Sequence, residues 1–155
     1  MSQPDGSPRA LAPRSLGDEE LSSLLAGQRF GALATYKRGG RPHLSTVNYT
    51  WDPEQRVARI STIADRLKVR QLHEDPGCAL YVASDDFGVF AVAEGEAELS
   101  PVSSEPGDEI GMELLAMQEG IGDPYAFLRQ MVEDRRMVIR IRAARLYGTA
   151  LPAPS

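Results

Sequence analysis

Cysteine, histidine and long apolar runs are the scarce features of this 155-residue chain. Its one cysteine, Cys78, has no partner for an internal disulfide, and His43 and His73 are the only imidazoles. A transition-metal site usually needs three or four His, Cys or carboxylate ligands, so any cofactor is expected to be organic. No apolar stretch approaches the ~20 residues that span a bilayer, and residues 1–17 carry Pro4, Pro8 and Pro13 where a signal peptide would have an apolar core. Membrane association is therefore not expected, and the cytoplasm is the expected compartment. There is no internal repeat and no low-complexity block. The length suits one domain with a single core.

Charge of one sign is scarce locally rather than globally. The chain carries a net charge of −5, yet between Arg29 and Arg70 nine basic residues face three acidic ones, so that this segment is +6 and the remainder −11. An acidic remainder repels a long polyanion, which argues against nucleic acid and for a small anionic ligand held on the basic island.

Alternation and turn signals organise the chain. Residues 1–17 read as an irregular, Pro- and Ser-rich arm, 18–150 as the domain and 151–155 as a tail. A leucine-spaced helix precedes Gly27, and strands are predicted over 29–36, 43–51, 57–62, 78–83, 89–99 and 136–147. On the second of these, His43, Ser45, Val47, Tyr49 and Trp51 share one face and Leu44, Thr46, Asn48 and Thr50 the other. Helical spacing recurs over 66–74 and in two further stretches between 109 and 133. There Met112, Met117 and Met131 form a stripe expected to fill the core. Six strands with tight turns and only short helices predict a mainly β fold, a small six-stranded antiparallel barrel with peripheral α-helices. A barrel of that size is filled by its own side chains, so a sizeable ligand must bind outside it or between subunits.

The stretch Ile60–Arg70 carries the strongest chemical signal. A strand ends in two hydroxyls, Ser61 and Thr62, and a helix begins within a few residues, with Asp65 able to cap it. Arg66 and Lys68 fall at the start of that helix, where cations oppose the positive end of the helix dipole by ~0.3–1 kcal/mol each. Such a placement is rational where an anion docks, since free N–H groups, hydroxyls and cations on one turn are the components of a phosphate site.

The hairpin Gly40-Arg41-Pro42-His43-Leu44-Ser45-Thr46-Val47-Asn48-Tyr49, the Arg66-Leu67-Lys68 turn followed by Asp75-Pro76, and the run Ala91-Val92-Ala93-Glu94-Gly95 together resemble the pyridoxamine-5′-phosphate-oxidase-like split β-barrel flavoproteins. Within them the chain is most similar to the actinobacterial branch that uses the deazaflavin coenzyme F420. The resemblance implies a homodimer with two cofactors along the subunit interface. By position, it implies that Arg66 and Lys68 hold the cofactor phosphate with Ser61 and Thr62 beside it. The strand residues His43, Ser45, Thr46, Val47 and Asn48 would line the ring through backbone and side-chain contacts. A tryptophan that some relatives place before the Ala-Val-Ala-Glu-Gly run is missing, and Phe87 is its expected replacement. The loop residues Lys37, Arg38 and Arg41 could meet the anionic oligoglutamate tail that distinguishes F420 from FMN, the alternative cofactor. The implied activity is hydride transfer from the reduced deazaflavin to a small electron-poor acceptor (enone, quinone or tetrapyrrole), with Tyr49, His43 or water as proton donor. The alternatives are an FMN-binding oxidoreductase of the same fold and a non-catalytic carrier or sensor of either cofactor.

Overall fold

A period of two in burial, interrupted by turn residues, is what closes this chain on itself. The computed structural model describes residues 12–152. In chain order these form β1 (Arg14–Ser15), α1 (Asp18–Gly27), β2 (Phe30–Tyr36), β3 (Pro42–Asp52), β4 (Val57–Ile63), α2 (Leu67–Glu74), β5 (Gly77–Ala83), β6 (Phe90–Leu99), α3 (Glu109–Ala116), α4 (Pro124–Glu133), β7 (Arg136–Tyr147) and β8 (Thr149–Ala150). Six of the strands make a closed antiparallel barrel in the order β2-β3-β4-β7-β6-β5. The strand limits fall close to those that alternation predicts.

Three differences from the sequence expectations have simple causes. The end of the arm is not irregular, because Arg14 and Ser15 pair with Ala150 and Thr149 in a two-stranded ribbon. Residues 1–11 of the arm and 153–155 of the tail lie outside the described residues. Helix α2 starts at Leu67 with Arg66, not Asp65, as its N-cap residue, and no side chain caps it. The methionine stripe divides: Met131 is buried and Met117 packs against the same cluster, but Met112 is half exposed on the far side of α3.

The barrel interior holds Leu33, Ile60, Leu80, Val82, Ile139 and Ile141, none with measurable exposure. Helix α1 packs with Leu21 and Leu25 against this core and is tied to the far part of β3, where the Tyr49 hydroxyl donates to the Leu25 carbonyl (2.5 Å) and the Trp51 indole N–H to the Ser22 hydroxyl (2.9 Å). Helix α2 is tied to the opposite end of β3 through Gln71. A second cluster, Ile110, Leu114, Met131 and Val138, lies between α3, α4 and the outer face of β7. There Glu113 of α3 accepts hydrogen bonds from Arg59 (2.9 Å) and Arg140 (2.8 Å), and the two guanidiniums, Arg140 foremost, hold its carboxyl below the usual carboxylate range. The outer faces of β2 and β3 stay uncovered, exposing Phe30 and Leu44 at 58% and 66%.

Strands β6 and β7 cross closely at a bulge between Glu94 and Gly95. A Cβ at Gly95 would collide with the Arg142 carbonyl oxygen, whereas one at Gly27 meets nothing within 4 Å. Gly95→Ala is expected to destabilise the fold by about 2 kcal/mol or more through backbone displacement, and Gly27→Ala to leave it unchanged or stabilise it by up to about 1 kcal/mol. Urea unfolding of both variants checks this pair.

Candidate functional site

Strand parity decides which polar side chains can meet a ligand. Along β4, Ala58, Ile60 and Thr62 turn into the barrel while Arg59, Ser61 and Ile63 turn outward. Thr62 is 3% exposed on the inner side, so of the two hydroxyls only that of Ser61 reaches the outer surface. The placement of Thr62 beside a phosphate is thereby corrected, since a strand cannot present consecutive side chains on one face.

Ser61 does not stand alone. Register places Ile63 opposite Arg136 on β7, and the Arg136 guanidinium donates to the Ser61 hydroxyl at 3.5 Å. The Ala64 N–H bonds the Arg135 carbonyl (3.1 Å), with Arg135 at φ +55°, which fixes the turn that delivers Arg136. Lys68 in the first turn of α2 lies in the field of Arg66 and Arg136, and its ammonium pKa falls below the ordinary lysine value, first from burial and then from those two cations. Among the described residues, no carboxylate pairs with Arg66, Lys68 or Arg136, and the Arg136 Nε is buried with no hydrogen-bond partner. Three cations without a carboxylate partner among the described residues, a hydroxyl and an uncapped helix start are thus gathered into one cradle, whose components suit a phosphate-like anion. Arg136 was not read from the sequence, because its 70-residue separation from Arg66 is bridged only by the β4–β7 register.

The same parity rule divides the ring-lining residues expected on β3. Thr46 and Asn48 are exposed on the outer face. Val47 is buried, and His43 and Ser45 turn inward with it, so these three can offer a ligand outside the barrel only their backbone. The His43 ring Nδ1 lies 3.0 Å from the Gln71 Oε1, which also accepts from the Thr35 hydroxyl at 2.6 Å. His43 thus anchors α2 to the barrel. Ser45 Oγ is buried without a partner.

Two expected proton donors lose that role. Tyr49 is 2% exposed, its hydroxyl donates to the Leu25 carbonyl, and burial pushes the phenol far above its ordinary pKa. His43 faces the interior. Arg38, expected to meet an anionic tail, is instead paired with Glu74 at 2.7 Å. Lys37 and Arg41 remain without a carboxylate partner among the described residues, and Lys37 lines a cleft of about 340 Å³ with Arg38, Leu67, Arg70 and Glu74. Arg70, which also faces this cleft, is a second cation that the sequence reading did not single out. Phe87 lies in the β5–β6 turn, 70% exposed at φ +62°. No helix among the described residues is long and apolar enough to cross a membrane.

The sequence profile described as pyridoxamine 5′-phosphate oxidase matches residues 18–150. Three solved structures share the fold. A protein named F420 reductase is 23% identical with a TM-score of 0.64, covering 84% of this chain and 98% of its own. An FAD-binding protein from Mesorhizobium loti is 18% identical with a TM-score of 0.67, covering 92% and 99%. A conserved hypothetical protein from Mycobacterium tuberculosis is 22% identical with a TM-score of 0.70, covering 94% and 93%. At such identities the likeness establishes the architecture.

Because folding lowers the Lys68 pKa, the unfolded chain binds this proton more tightly. The resulting cost to stability is full below the folded-state pKa and disappears above the ordinary lysine value. Near neutral pH, Lys68→Met is therefore expected to raise the melting temperature of the ligand-free protein. Inorganic phosphate should raise the wild-type melting temperature more than chloride at equal ionic strength, an increment that the variant loses. Tyr49→Phe leaves the buried Leu25 carbonyl without its donor and is expected to lower stability by about 1–2 kcal/mol in chemical denaturation.

Proposed function

The chain belongs to the pyridoxamine 5′-phosphate oxidase family, and on that premise we propose that it is an oxidoreductase that holds coenzyme F420 and transfers hydride from its reduced form to an electron-poor organic acceptor. The observation that carries this reading is the uncompensated cluster of Arg66, Lys68 and Arg136 beside Ser61. Buried or half-buried cations without counter-ions are costly, and a bound phosphate would relieve that cost. These four residues would hold the cofactor phosphate. Thr46 and Asn48 side chains, with the backbone of the β3 segment around Ser45 and Val47, would support the ring.

Lys37, Arg70 and Arg41 lie beyond the cradle and suit a longer anionic tail, which favours the deazaflavin over FMN. FMN is the second reading, favoured by one observation: Glu74 already neutralises Arg38, which leaves fewer cations free for a tail. When bound, either cofactor supplies the hydride chemistry, and the protein's part is to orient it and to shape the field around it. With Tyr49 committed to Leu25 and His43 turned inward, water is the proton source this geometry favours. The uncovered apolar face with Phe30 and Leu44 supports a homodimer with the cofactor near its interface. The absence of a membrane-spanning helix among the described residues is compatible with a cytoplasmic enzyme.

Titration of the purified protein with oxidised F420 and with FMN, followed by fluorescence, tests the cofactor. Arg66→Ala, Lys68→Ala and Arg136→Ala are each expected to weaken binding tenfold to a hundredfold, the loss of one charge-assisted hydrogen bond of about 1.5–3 kcal/mol. Lys37→Ala and Arg70→Ala should weaken F420 and leave FMN unaffected. Micromolar FMN binding without a deazaflavin response transfers the assignment to FMN. A bound reduced cofactor whose oxidation no enone or quinone accelerates marks a carrier instead of a reductase.

A further inference from the structure

The outer face of β3 carries a second cleft that the cofactor cradle does not use. It has a volume of about 390 Å³ and lies between the C-terminal ends of α1 and α3, at the small end of the range of organic-ligand pockets. Asn48 and Thr50 form its floor. Register pairs Thr50 with Arg59 and Tyr49 with Ile60, so its continuation sets Asn48 beside Ser61, one strand from the cradle. Met117 and Gln118 form one wall and Gln28 the other, with Trp51 at the edge.

The polar groups in this cleft are free. The side-chain amides of Gln28, Asn48 and Gln118 make no hydrogen bond to the described residues, although each presents both donors and acceptors. Arg29 and Glu119 on the two lips carry opposite charges, so the cleft has no net preference for an ion. The Arg29 guanidinium rests over the Phe30 ring, 5.8 Å from its centroid. Met117 supplies polarizable apolar contact.

Resting on the functional reading above, we propose that this cleft binds the hydride acceptor, and that the acceptor is a small neutral conjugated carbonyl compound with an amide-type edge, such as a cyclic imide or lactam, rather than a wholly apolar quinone. Asn48 joins the two sites. Its side chain stands on the outer face of β3 between Thr46 and Thr50, so an acceptor lying on Asn48 and Thr50 would adjoin a ring supported on Thr46 and Asn48. In the reaction, hydride from the reduced deazaflavin forms a C–H bond at the acceptor's β-carbon. The alkene π pair shifts toward the carbonyl, and a proton from water completes the α-carbon. The alkene is reduced and the deazaflavin oxidised by the same two electrons.

Maleimide, its reduced and redox-inert counterpart succinimide, and menadione as the apolar quinone are the probes. Cys78 does not compete for maleimide, because it is buried and burial pushes its thiol pKa up to about 12. The side-chain amide N–H resonances of Gln28 and Gln118, identified by their loss in the corresponding Leu variants, report on the cleft directly. A saturable shift of those resonances on titration with succinimide, with or without cofactor, is the expected result, and unmoved resonances overturn the cleft. Gln28→Leu and Gln118→Leu are each expected to raise the KM for maleimide about tenfold at unchanged F420 affinity and melting temperature. An unchanged KM in both overturns the acceptor site, and a higher kcat/KM for menadione than for maleimide overturns its polarity. A wild-type protein that binds no deazaflavin defeats the functional reading alone, since the succinimide titration decides the cleft without the cofactor.

Discussion

Closure of the barrel around a filled interior is the constraint from which the remaining structure follows. With Leu33, Ile60, Leu80, Ile139 and Ile141 sealed inside, no cavity is left for an organic ligand there, and binding is forced to the outer surface. Strand parity then selects the side chains that a ligand can meet. A slip of one residue in β4 would send Ser61 inward and Thr62 outward, and would carry Ile60 into solvent at the same time. The hydroxyl beside the cradle is thus held in place by the core on the other side of the same strand.

The outer face of β4 and β7 shows two solutions to the problem of clustered cations. Arg59 and Arg140 converge on Glu113, which pins α3 to the barrel. A few residues along the same ladder, Arg136 meets Lys68 and Arg66 with no carboxylate among them. Acidic residues abound in the chain, so the difference is one of placement. The paired end serves stability, while the unpaired end carries the electrostatic cost of neighbouring like charges. A chain built only for stability would place an acid near Arg136, as it does near Arg140 and Arg38.

Much of this was legible in the residues. Alternation gave six strands within a residue or two, and Asp123-Pro124 marked the start of α4, where the Asp123 carboxylate accepts from the Ala126 N–H. Ser61, Arg66 and Lys68 were visible because a strand end, a helix start and cations adjoin in sequence. What escaped notice depends on contacts that sequence order does not encode. Arg136 reaches the cradle only through the β4–β7 register, and β1 exists only because β8 returns beside it. Period two separates the faces of β3 but does not say which is inside. That choice, made by Val47, Tyr49 and Trp51 entering the core, turned the His43 and Ser45 side chains inward, where His43 meets Gln71 of α2, and left only their backbone on the outer side.

Phe87 bears on how such a site is completed. Its backbone sits at φ +62°, a conformation that costs a non-glycine residue on the order of 1 kcal/mol. The Asp86 carboxylate holds it there by accepting from the Gly88 N–H (2.8 Å) and the Ser84 hydroxyl (2.9 Å). The result is a phenyl ring presented to solvent. The β5–β6 turn joins the barrel at the Tyr147 end of β7, since Val92 pairs with Tyr147, whereas the cradle stands at the Arg136 end. In the other direction around the barrel the path is shorter, because the register continues from Ala83 to Phe30, from Phe30 to Asn48 and from Asn48 to Ser61, three strand spacings of about 4.8 Å each. The turn that carries Phe87 thus follows directly on the uncovered face of Phe30 and Leu44 and adds a further exposed apolar side chain at its margin.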